Sequence, residues 1–484
     1  MSKVMEERPY QQELVSDILP KLNPEHNVML QLPTGAGKTH IAIEIANRWI
    51  GDLPLIRNIT WMTHRKELER QSYNRLVDAG LNYAVVSSQR RLYNAISRGD
   101  HVPTRDTLLV VDESHHSTAK TWRRVIELWP GPVLGLTATP WRLSKKEGFS
   151  TLFHELIIGP TTLELIKLGY LVPCRVRHPV GEVGKGVGWN NGDFSMGQTW
   201  EQGNKTTLIE EGVDWLLRER KKDSRTLCYC TTIQHAESVF EYATLEGLRS
   251  GLILGKTPAV ERERTYKEFE NHELDLLVNV EVATEGCDLP EVDSILMQRP
   301  TQSLALYLQM VGRAMRPAPN KKYALILDAF ANWERHGLPE EEREWTLEAR
   351  KSKKRGVAPT RLCRNCNTVN HIAARSCFAC GMEFGSLCEK CGNFVYGLME
   401  GEQCPRCSKE AQKRMFAGGV RTVVPAIPEY IHQKKKYGVF VEGDEPEIGS
   451  TVLVKDGAGN RWKESIIRVV NKIRNGFVCE TKSV

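Results

Sequence analysis

The sequence lacks any long hydrophobic run. No apolar stretch approaches the roughly 18 residues of a membrane span, and residues 1–8 are charged, without the apolar segment of a secretion signal. These two absences predict an intracellular, cytoplasmic protein that has no membrane partner. Cysteine is also sparse along most of the chain, which argues against a fold held together by disulfides.

The remaining composition is typical of a globular protein with several domains. The 484 residues are 40% hydrophobic and 26% charged, which predicts about three domains. The formal net charge of +6 is too small to identify a partner. The function must therefore be inferred from local motifs.

A glycine-rich segment between an apolar run and a helical pattern predicts a phosphate-binding loop. Residues 28–32 indicate a strand and residues 41–49 a helix. The segment between them contains Pro33, Thr34, Gly35, Ala36, Gly37, Lys38 and Thr39. The glycines let the backbone wrap around phosphate, and the N-terminus of the helix faces the anion. Lys38 would hold the β- and γ-phosphates and Thr39 the Mg²⁺ ion, although Leu32 replaces the usual first glycine.

A second polar segment supplies the acidic partner of that loop. Asp112, Glu113, Ser114 and His115 follow a predicted strand at residues 108–111. Asp112 is placed to bind the metal ion, and Glu113 is placed to orient or deprotonate the attacking water. The alternative is an ordinary strand-to-helix turn with two acidic residues at a strand end. The correct order of both segments favours an ATP-hydrolysing site.

Apolar runs that alternate with amphipathic segments predict an α/β fold with two parallel sheets. The predicted strands of the first sheet are residues 28–32, 59–62, 108–111 and 133–136, and those of the second are residues 226–229, 274–280, 294–297 and 323–327. The second sheet has no phosphate-binding loop of its own. We therefore expect it to serve the ATP site of the first.

These segments together resemble the ordered motifs of superfamily 2 helicases and translocases of the DEAD/DEAH type, in the branch of type I and type III restriction motor subunits and repair helicases. The resemblance covers residues 8–345 and implies two tandem RecA-like domains. The resemblance also assigns further residues to the ATP site. Arg8 and Gln11 would contact the adenine, and the others are Gly286, Asp288 and Gln309. The resemblance implies coupling or nucleic-acid contacts for His64, Arg65, His115, Thr137, Thr139 and Thr284.

The same resemblance identifies Arg313 and Arg316 as arginine fingers. Their guanidinium groups, carried on the second domain, would stabilise the charge that develops on the γ-phosphate, so hydrolysis would require the two domains to close. Taken alone, the two arginines are more typical of an exposed basic helix. His64 and His115 could orient loops, and Thr137 and Thr139 could form turns, without contacting a ligand.

Eight cysteines form four Cys-x-x-Cys pairs in one short region. They are Cys363, Cys366, Cys377, Cys380, Cys388, Cys391, Cys404 and Cys407. Two such pairs complete a closed tetrahedral site, so the sequence predicts two structural Zn²⁺ ions. The spacing leaves open which pairs share an ion. A redox role is disfavoured, because no thioredoxin-like context surrounds the pairs.

The predicted domain order combines these segments. It runs from a first RecA-like, ATP-binding domain at residues 1–165 through a second at 166–345, a charged linker at 346–360, two zinc ribbons at 361–410, a linker at 411–445 and a small β module at 446–484. The β module is inferred from short apolar runs separated by Asp-Gly and Asn-Gly turns. The basic residues between 350 and 355 indicate either a solvated linker or an arm that contacts phosphate.

The sequence thus predicts an ATP-dependent DNA helicase or translocase that uses ATP, Mg²⁺ and two Zn²⁺ ions. The zinc ribbons would assist binding to single-stranded, duplex or branched DNA. An RNA helicase is the close alternative, and a zinc-ribbon adaptor without motor activity is the distant one. No nuclease motif is evident, which argues against a complete restriction enzyme.

Overall fold

The computed structural model divides the chain into two compact units, Met1–Cys380 and Gly381–Val484. The residues that it describes are 8–52, 58–64, 67–141, 148–178, 189–190, 193–194, 206–280, 292–349, 359–404, 407, 421–422, 437–442, 451–455, 461–473 and 476–483. Within these ranges, no helix combines the length and the apolar character needed to cross a membrane.

A six-stranded parallel sheet organises the first half of the larger unit. Its strands are β1 (Val28–Gln31), β2 (Asn58–Thr63), β3 (Val85–Ser88), β4 (Thr107–Val111), β5 (Val133–Thr137) and β6 (Glu155–Ile158). They lie in the order β3-β2-β4-β5-β1-β6, and all pairs are parallel. Every residue of β1, β4 and β5 is buried, as expected for strands that are covered on both faces.

Six α-helices accompany this sheet in the described part of the chain. They are α1 (Pro9–Ile18), α2 (Lys38–Asp52), α3 (Glu67–Asp78), α4 (Gln89–Arg98), α5 (Lys120–Glu127) and α6 (Thr162–Lys167). Local interactions explain where two of these helices begin. Helix α1 begins with proline, which lacks the amide hydrogen that a first turn would leave unpaired. Helix α6 begins with a capping box, in which Thr161 and Glu164 each accept a hydrogen bond from the other's backbone amide.

A second six-stranded parallel sheet follows in the same unit. Its strands are β7 (Cys174–Arg177), β10 (Thr226–Cys230), β11 (Ser250–Ile253), β12 (Leu276–Asn279), β13 (Ser294–Gln298) and β14 (Ala324–Asp328), and a short hairpin of β8 (Trp189–Asn190) and β9 (Asp193–Phe194) lies between β7 and β10 in sequence. The order is β11-β12-β10-β13-β14-β7, with all pairs parallel. The accompanying helices are α7 (Thr206–Glu219), α8 (Ile233–Leu245), α9 (Ala259–Glu270), α10 (Leu304–Ala314) and α11 (Asn332–His336). The predicted α/β fold with tandem sheets is confirmed.

The chain returns to the first half of the unit after α11. The backbone amide of Phe149 donates a 2.5 Å hydrogen bond to the carbonyl of Leu347, and the Leu347 side chain packs against the apolar core that contains Phe149. Residues 346–349 therefore pack on the first half, although the sequence analysis places them in a charged linker. Residues 350–358 of that interval lie outside the described part.

The first cysteine segment belongs to the larger unit. It contains the antiparallel pair β15 (Thr360–Leu362) and β16 (Val369–His371). An antiparallel bridge joins Arg177 of β7 to Thr368, just before β16. Val369 is fully buried in the same apolar cluster as Val176. This segment thus covers the outer edge of the second sheet.

The smaller unit is built mostly from antiparallel strands. It contains the hairpin of β17 (Gly385–Leu387) and β18 (Phe394–Tyr396), and a five-stranded sheet of β19 (Arg421–Thr422), β20 (Tyr437–Glu442), β21 (Thr451–Lys455), β22 (Arg461–Ile473) and β23 (Gly476–Ser483). The sheet order is β19-β21-β22-β23-β20. The strands of this unit pair antiparallel, except β19 and β21, which pair in parallel. Strands β19 and β20 fall in the interval 411–445 that the sequence analysis assigns to a linker. Strand β20 forms through pairing with β23, which is distant in sequence and leaves no local signal.

Candidate ATP site and metal centres

The phosphate-binding loop joins β1 to α2. Gly35 and Gly37 have φ angles of +85° and +89°, in the left-handed region that favours glycine. Helix α2 begins at Lys38, whose ammonium group donates to the carbonyls of Leu32 (3.0 Å) and Pro33 (3.4 Å). The loop therefore curls around its own lysine, with the helix N-terminus directed at the same space.

The start of α1 packs against this loop. The Tyr10 hydroxyl and the Gln11 amide group both donate to the carbonyl of Ala36, at 2.6 and 3.3 Å. A Cβ atom on Gly37 would lie 2.4 Å from Gln11 Nε2, so close packing as well as backbone conformation requires glycine there. Gln11 Oε1 accepts from the Arg8 backbone amide at 3.2 Å. These contacts fix the residues that are predicted to read the base relative to the phosphate loop.

An aromatic residue that sequence reasoning missed lies beside Arg8. The Arg8 guanidinium carbon is 4.6 Å from the centroid of the Tyr170 ring, and the Tyr10 and Tyr170 rings are 5.5 Å apart. The two rings are tilted by 56°, and the three side chains pack together as one polarisable cluster next to the loop. No local signal could have identified Tyr170, because it lies in the connection between α6 and β7.

The two carboxylates lie at the carboxyl end of β4. The Asp112 amide donates to the carbonyl of Met62 in β2, which holds the turn against the sheet. Glu113 adopts φ 53° and ψ 48°, a left-handed conformation that is costly for a non-glycine residue and is common at functional sites. Its own amide donates to Asp112 Oδ1 at 3.1 Å. The strained turn directs both carboxylates to one place.

The electrostatics of this pair depend on Lys38. Burial and the neighbouring Glu113 carboxylate raise the pKa of Asp112, whereas Lys38 acts in the opposite direction. Burial lowers the pKa of Lys38; Glu113 and Asp112 partly offset this, and Arg313 and Arg316 add to the lowering. Two carboxylates and three cations are therefore close enough to sense one another.

His115, Thr137 and Thr139 are brought together behind the carboxylates. His115 Nδ1 lies 3.4 Å from Glu113 Oε2 and 3.3 Å from the Thr137 hydroxyl. The Thr137 hydroxyl in turn accepts from the Thr139 amide at 3.0 Å. All three residues are buried, so they contact protein groups here and form a link between the ends of β4 and β5.

Helix α10 of the second sheet completes the site. Gln309 Nε2 donates to Glu113 Oε2 at 3.2 Å. A Cβ atom on Gly312 would lie 2.5 Å from Thr34 Cβ, and one on Gly35 would lie 3.4 Å from Arg316 Cγ. The helix therefore meets both the phosphate loop and the carboxylate turn, although nearly 200 residues separate Gln309 from Glu113 in sequence.

Two family models match the chain across these two halves. The model described as "Type III restriction enzyme, res subunit" matches residues 4–85 and 77–142, and the model described as "Helicase conserved C-terminal domain" matches residues 205–318. This chain belongs to the superfamily 2 helicases. The predicted resemblance is confirmed, and ATP is the nucleotide of this helicase.

Individual relatives agree with the family. The chain is 29% identical over 366 residues to a 51.5 kDa protein of Lactococcus phage (isolate 7-9), covering 74% of this chain and 78% of that protein. It is 24% identical over 353 residues to the "Putative ATP-dependent helicase IRC3" of Saccharomyces cerevisiae, covering 66% and 51%. It is 28% identical over 222 residues to the "Putative DNA 3'-5' helicase Rad25" of Haloarcula marismortui, covering 45% and 35%. The chain thus spans about half of the yeast relative and a third of the archaeal one.

Eight cysteines of the helicase form two separate sets. Cys363, Cys366, Cys377 and Cys380 make one set and Cys388, Cys391, Cys404 and Cys407 the other, with the sulfur atoms of each set within 4.8 Å of one another. Measured Sγ–Sγ distances are 3.7 Å for Cys363–Cys380, 3.6 Å for Cys366–Cys377 and 3.8 Å for Cys391–Cys404. Four thiolates at ~2.3 Å from one tetrahedral ion have sulfurs about 3.8 Å apart. Both sets fit such an ion, without swapping between pairs.

Four of the predicted site residues lie outside the described residues. They are Arg65, Thr284, Gly286 and Asp288. His64 lies at the end of β2, where its ring stacks with that of His116, a residue that the sequence analysis did not select. His116 is adjacent to the acidic motif, and this position is the only sequence signal that it carries.

Proposed function

We propose that this helicase is an ATP-dependent DNA helicase or translocase whose ATP site is shared between two α/β domains. The hydrogen bond from Gln309 of the second domain to Glu113 of the first carries this proposal. A catalytic carboxylate that depends on the opposite domain couples hydrolysis to domain closure. Repeated closure and opening would then move the domains along a strand.

The first domain would supply the phosphate site. Lys38 would hold the β- and γ-phosphates at the N-terminus of α2, where the loop amides and the helix dipole favour an anion. The oxygen donors of Thr39 and Asp112 suit Mg²⁺, and the pKa of Asp112, raised by burial beside Glu113, fits a site built for a cation. Mg²⁺ bound there would neutralise charge on the phosphates. Arg8, Gln11 and Tyr10 would position the adenine.

The second domain would supply transition-state stabilisation. Glu113 would orient the attacking water, while Gln309 holds its carboxylate in place. Arg313 is buried and Arg316 lies against the phosphate loop. Both are close enough to Lys38 to lower its pKa, which supports a role for the two guanidinium groups at the transferred phosphate. Arginines in this role contribute ~10³- to 10⁵-fold in rate in related NTPases.

Two findings support DNA as the nucleic acid. The first family model is described as a restriction enzyme subunit, and the archaeal relative is named a DNA helicase. Neither the RNA helicase nor the adaptor without motor activity has better support. The ATPase assay described below compares single-stranded, duplex and forked DNA.

The two cysteine sets would each bind one Zn²⁺ ion. The thiolate donors and the absence of an open position are typical of a structural zinc site. Gly381 and Gly392 follow their Cys-x-x-Cys pairs with φ angles of +75° and +69°, as tight metal-binding turns require. Zinc binding would therefore order short segments that have little apolar core of their own.

ATP hydrolysis with single-stranded, duplex and forked DNA and with RNA tests the proposal. We expect DNA to stimulate the wild-type rate and Glu113→Gln to abolish turnover while retaining ATP binding, because only the water-orienting carboxylate is lost. Glu127→Gln, an exposed carboxylate on α5, is the matched control and should behave like the wild type. Near-normal turnover in Glu113→Gln would refute the site, and stimulation by RNA alone would favour the RNA helicase.

A further inference from the structure

Three histidines form a column between β2 and the catalytic carboxylate. His64 directly follows β2, and His115 and His116 lie in the 3₁₀ turn Ser114–His116. The ring centroids of His64 and His116 are 4.3 Å apart, with an interplanar angle of 25°. Those of His116 and His115 are 4.2 Å apart, at 40°. We call these three residues the histidine column.

A buried tryptophan supports the column from one side. Trp122 of α5 lies 6.0 Å from the His64 ring and 5.6 Å from the His116 ring, measured between centroids. Its side chain is only 3% exposed. Because rings at these separations are in van der Waals contact, the two histidines cannot shift independently of each other or of the tryptophan.

The column ends on the catalytic machinery. His115 Nδ1 is 3.4 Å from Glu113 Oε2, and the His116 amide donates to the Glu113 carbonyl at 3.0 Å. Glu113 is held in its left-handed conformation by contacts of this kind. A displacement of the His64 ring would therefore be passed through two further rings to the carboxylate that orients the water.

We propose that His116, the central ring, is a positioning residue that couples nucleic-acid binding at the end of β2 to the orientation of Glu113. The inference rests on the proposed function, because it takes the segment after β2 as part of the nucleic-acid track. His64 senses the nucleic acid, His116 transmits its position, and His115 places Glu113. A small misplacement of a catalytic group is costly, since about 1 Å can reduce the rate ~10²-fold.

The test compares two substitutions at His116 by steady-state ATPase assays with and without single-stranded and duplex DNA. His116→Ala should reduce the DNA-stimulated kcat by ~10-fold or more and leave the KM for ATP within about twofold, because ATP contacts stay in place. His116→Phe keeps a flat ring in the column and should restore most of the stimulated kcat. A merely structural role would not produce this split between kcat and KM together with rescue by a ring.

His101→Ala is the matched control. His101 also stacks on a tryptophan of the first domain, with its ring 5.9 Å from that of Trp129, but it precedes β4 and so lies towards the opposite end of the sheet. It should retain the wild-type kcat and stimulation.

Three results would overturn the inference: a stimulated kcat for His116→Ala within about twofold of the wild type, an equal fall in the stimulated and basal rates, or a His116→Phe rate as low as that of the alanine variant. Failure of the proposed function is distinguishable, because it would appear as absent DNA stimulation in the wild-type protein itself.

Discussion

The first cysteine set lies in the unit that contains both α/β sheets, whereas the second lies in the unit Gly381–Val484, although both offer four thiolates from two Cys-x-x-Cys pairs. The Arg177 guanidinium of β7 donates twice to the carbonyl of Cys366, at 2.8 and 2.5 Å. The His178 amide donates to the carbonyl of Asn367 at 3.0 Å. The turn that follows Cys363 is thus hydrogen-bonded directly to the edge strand of the second sheet.

The second set has partners inside its own unit. The Cys404 amide donates to Cys388 Sγ at 3.1 Å, and the Cys388 amide donates to the carbonyl of Asn393, directly before β18 of the β17–β18 hairpin. The same chemistry therefore serves two structural purposes. Metal bound to the first set would stabilise a cover over a sheet edge, and unprotected edges are prone to aggregation. Metal bound to the second set would stabilise a small hairpin.

Truncation should give the largest difference between the two sets. A chain ending at residue 349 keeps both sheets but loses the cover of β7, so we expect aggregation and loss of most ATPase activity. A chain ending at residue 383 keeps the first set and should retain basal ATPase. Sedimentation and ATPase assays distinguish the two. Equal activity in both truncated chains would show that the first set is dispensable for the motor.

Single ligand substitutions should give the next largest difference. Cys363→Ser and Cys388→Ser remove buried, equivalent ligands from the first and second sets. The zinc content measured by elemental analysis should fall from two ions per chain to one in each variant. Cys363→Ser alone should destabilise the ATP-binding unit, by more than about 4 kcal/mol, because a lost metal site is among the most damaging changes. The comparison would fail if both variants lost ATPase activity equally.

Arg177→Ala should have the smallest of the three effects. It removes both hydrogen bonds to Cys366 and the ion pair with Glu219, at a side chain that is only 17% exposed. We expect a loss of ~1–3 kcal/mol in thermal or denaturant unfolding, with both zinc ions retained. Arg264→Ala, which breaks an exposed ion pair with Glu268, is the control and should change stability by under about 0.5 kcal/mol. Indistinguishable stabilities would mean that the Arg177 contacts contribute little.

The central strands of both sheets could be predicted from the sequence, but the edge strands could not. All eight predicted strands of the two sheets correspond to central positions. The four that were missed, β3, β6, β7 and β11, are the two edges of each sheet. The physical reason is burial. Central strands are covered on both faces and form continuous apolar runs, whereas an edge strand such as β7 alternates buried and partly exposed residues, with two arginines among four positions.

The local chemistry of the site was determined by the sequence itself. Glycines that allow positive φ, a lysine at the start of a helix and two carboxylates after a buried strand need only their immediate neighbours to form these structures. Close spacing also placed two cysteines in each metal-binding turn. Such features depend on contacts between residues a few positions apart, which a sequence displays directly.

Only the tertiary structure decided which of these local features meet. Four features join segments that are distant in sequence: the Gln309–Glu113 hydrogen bond, the Arg8–Tyr170 stack, the contact of His64 with His116 in the histidine column, and the docking of the first cysteine set on β7. These contacts arise because two sheets and their helices must bury their apolar faces together. Burial is non-directional and is shared by many residues, so no single short motif records its outcome.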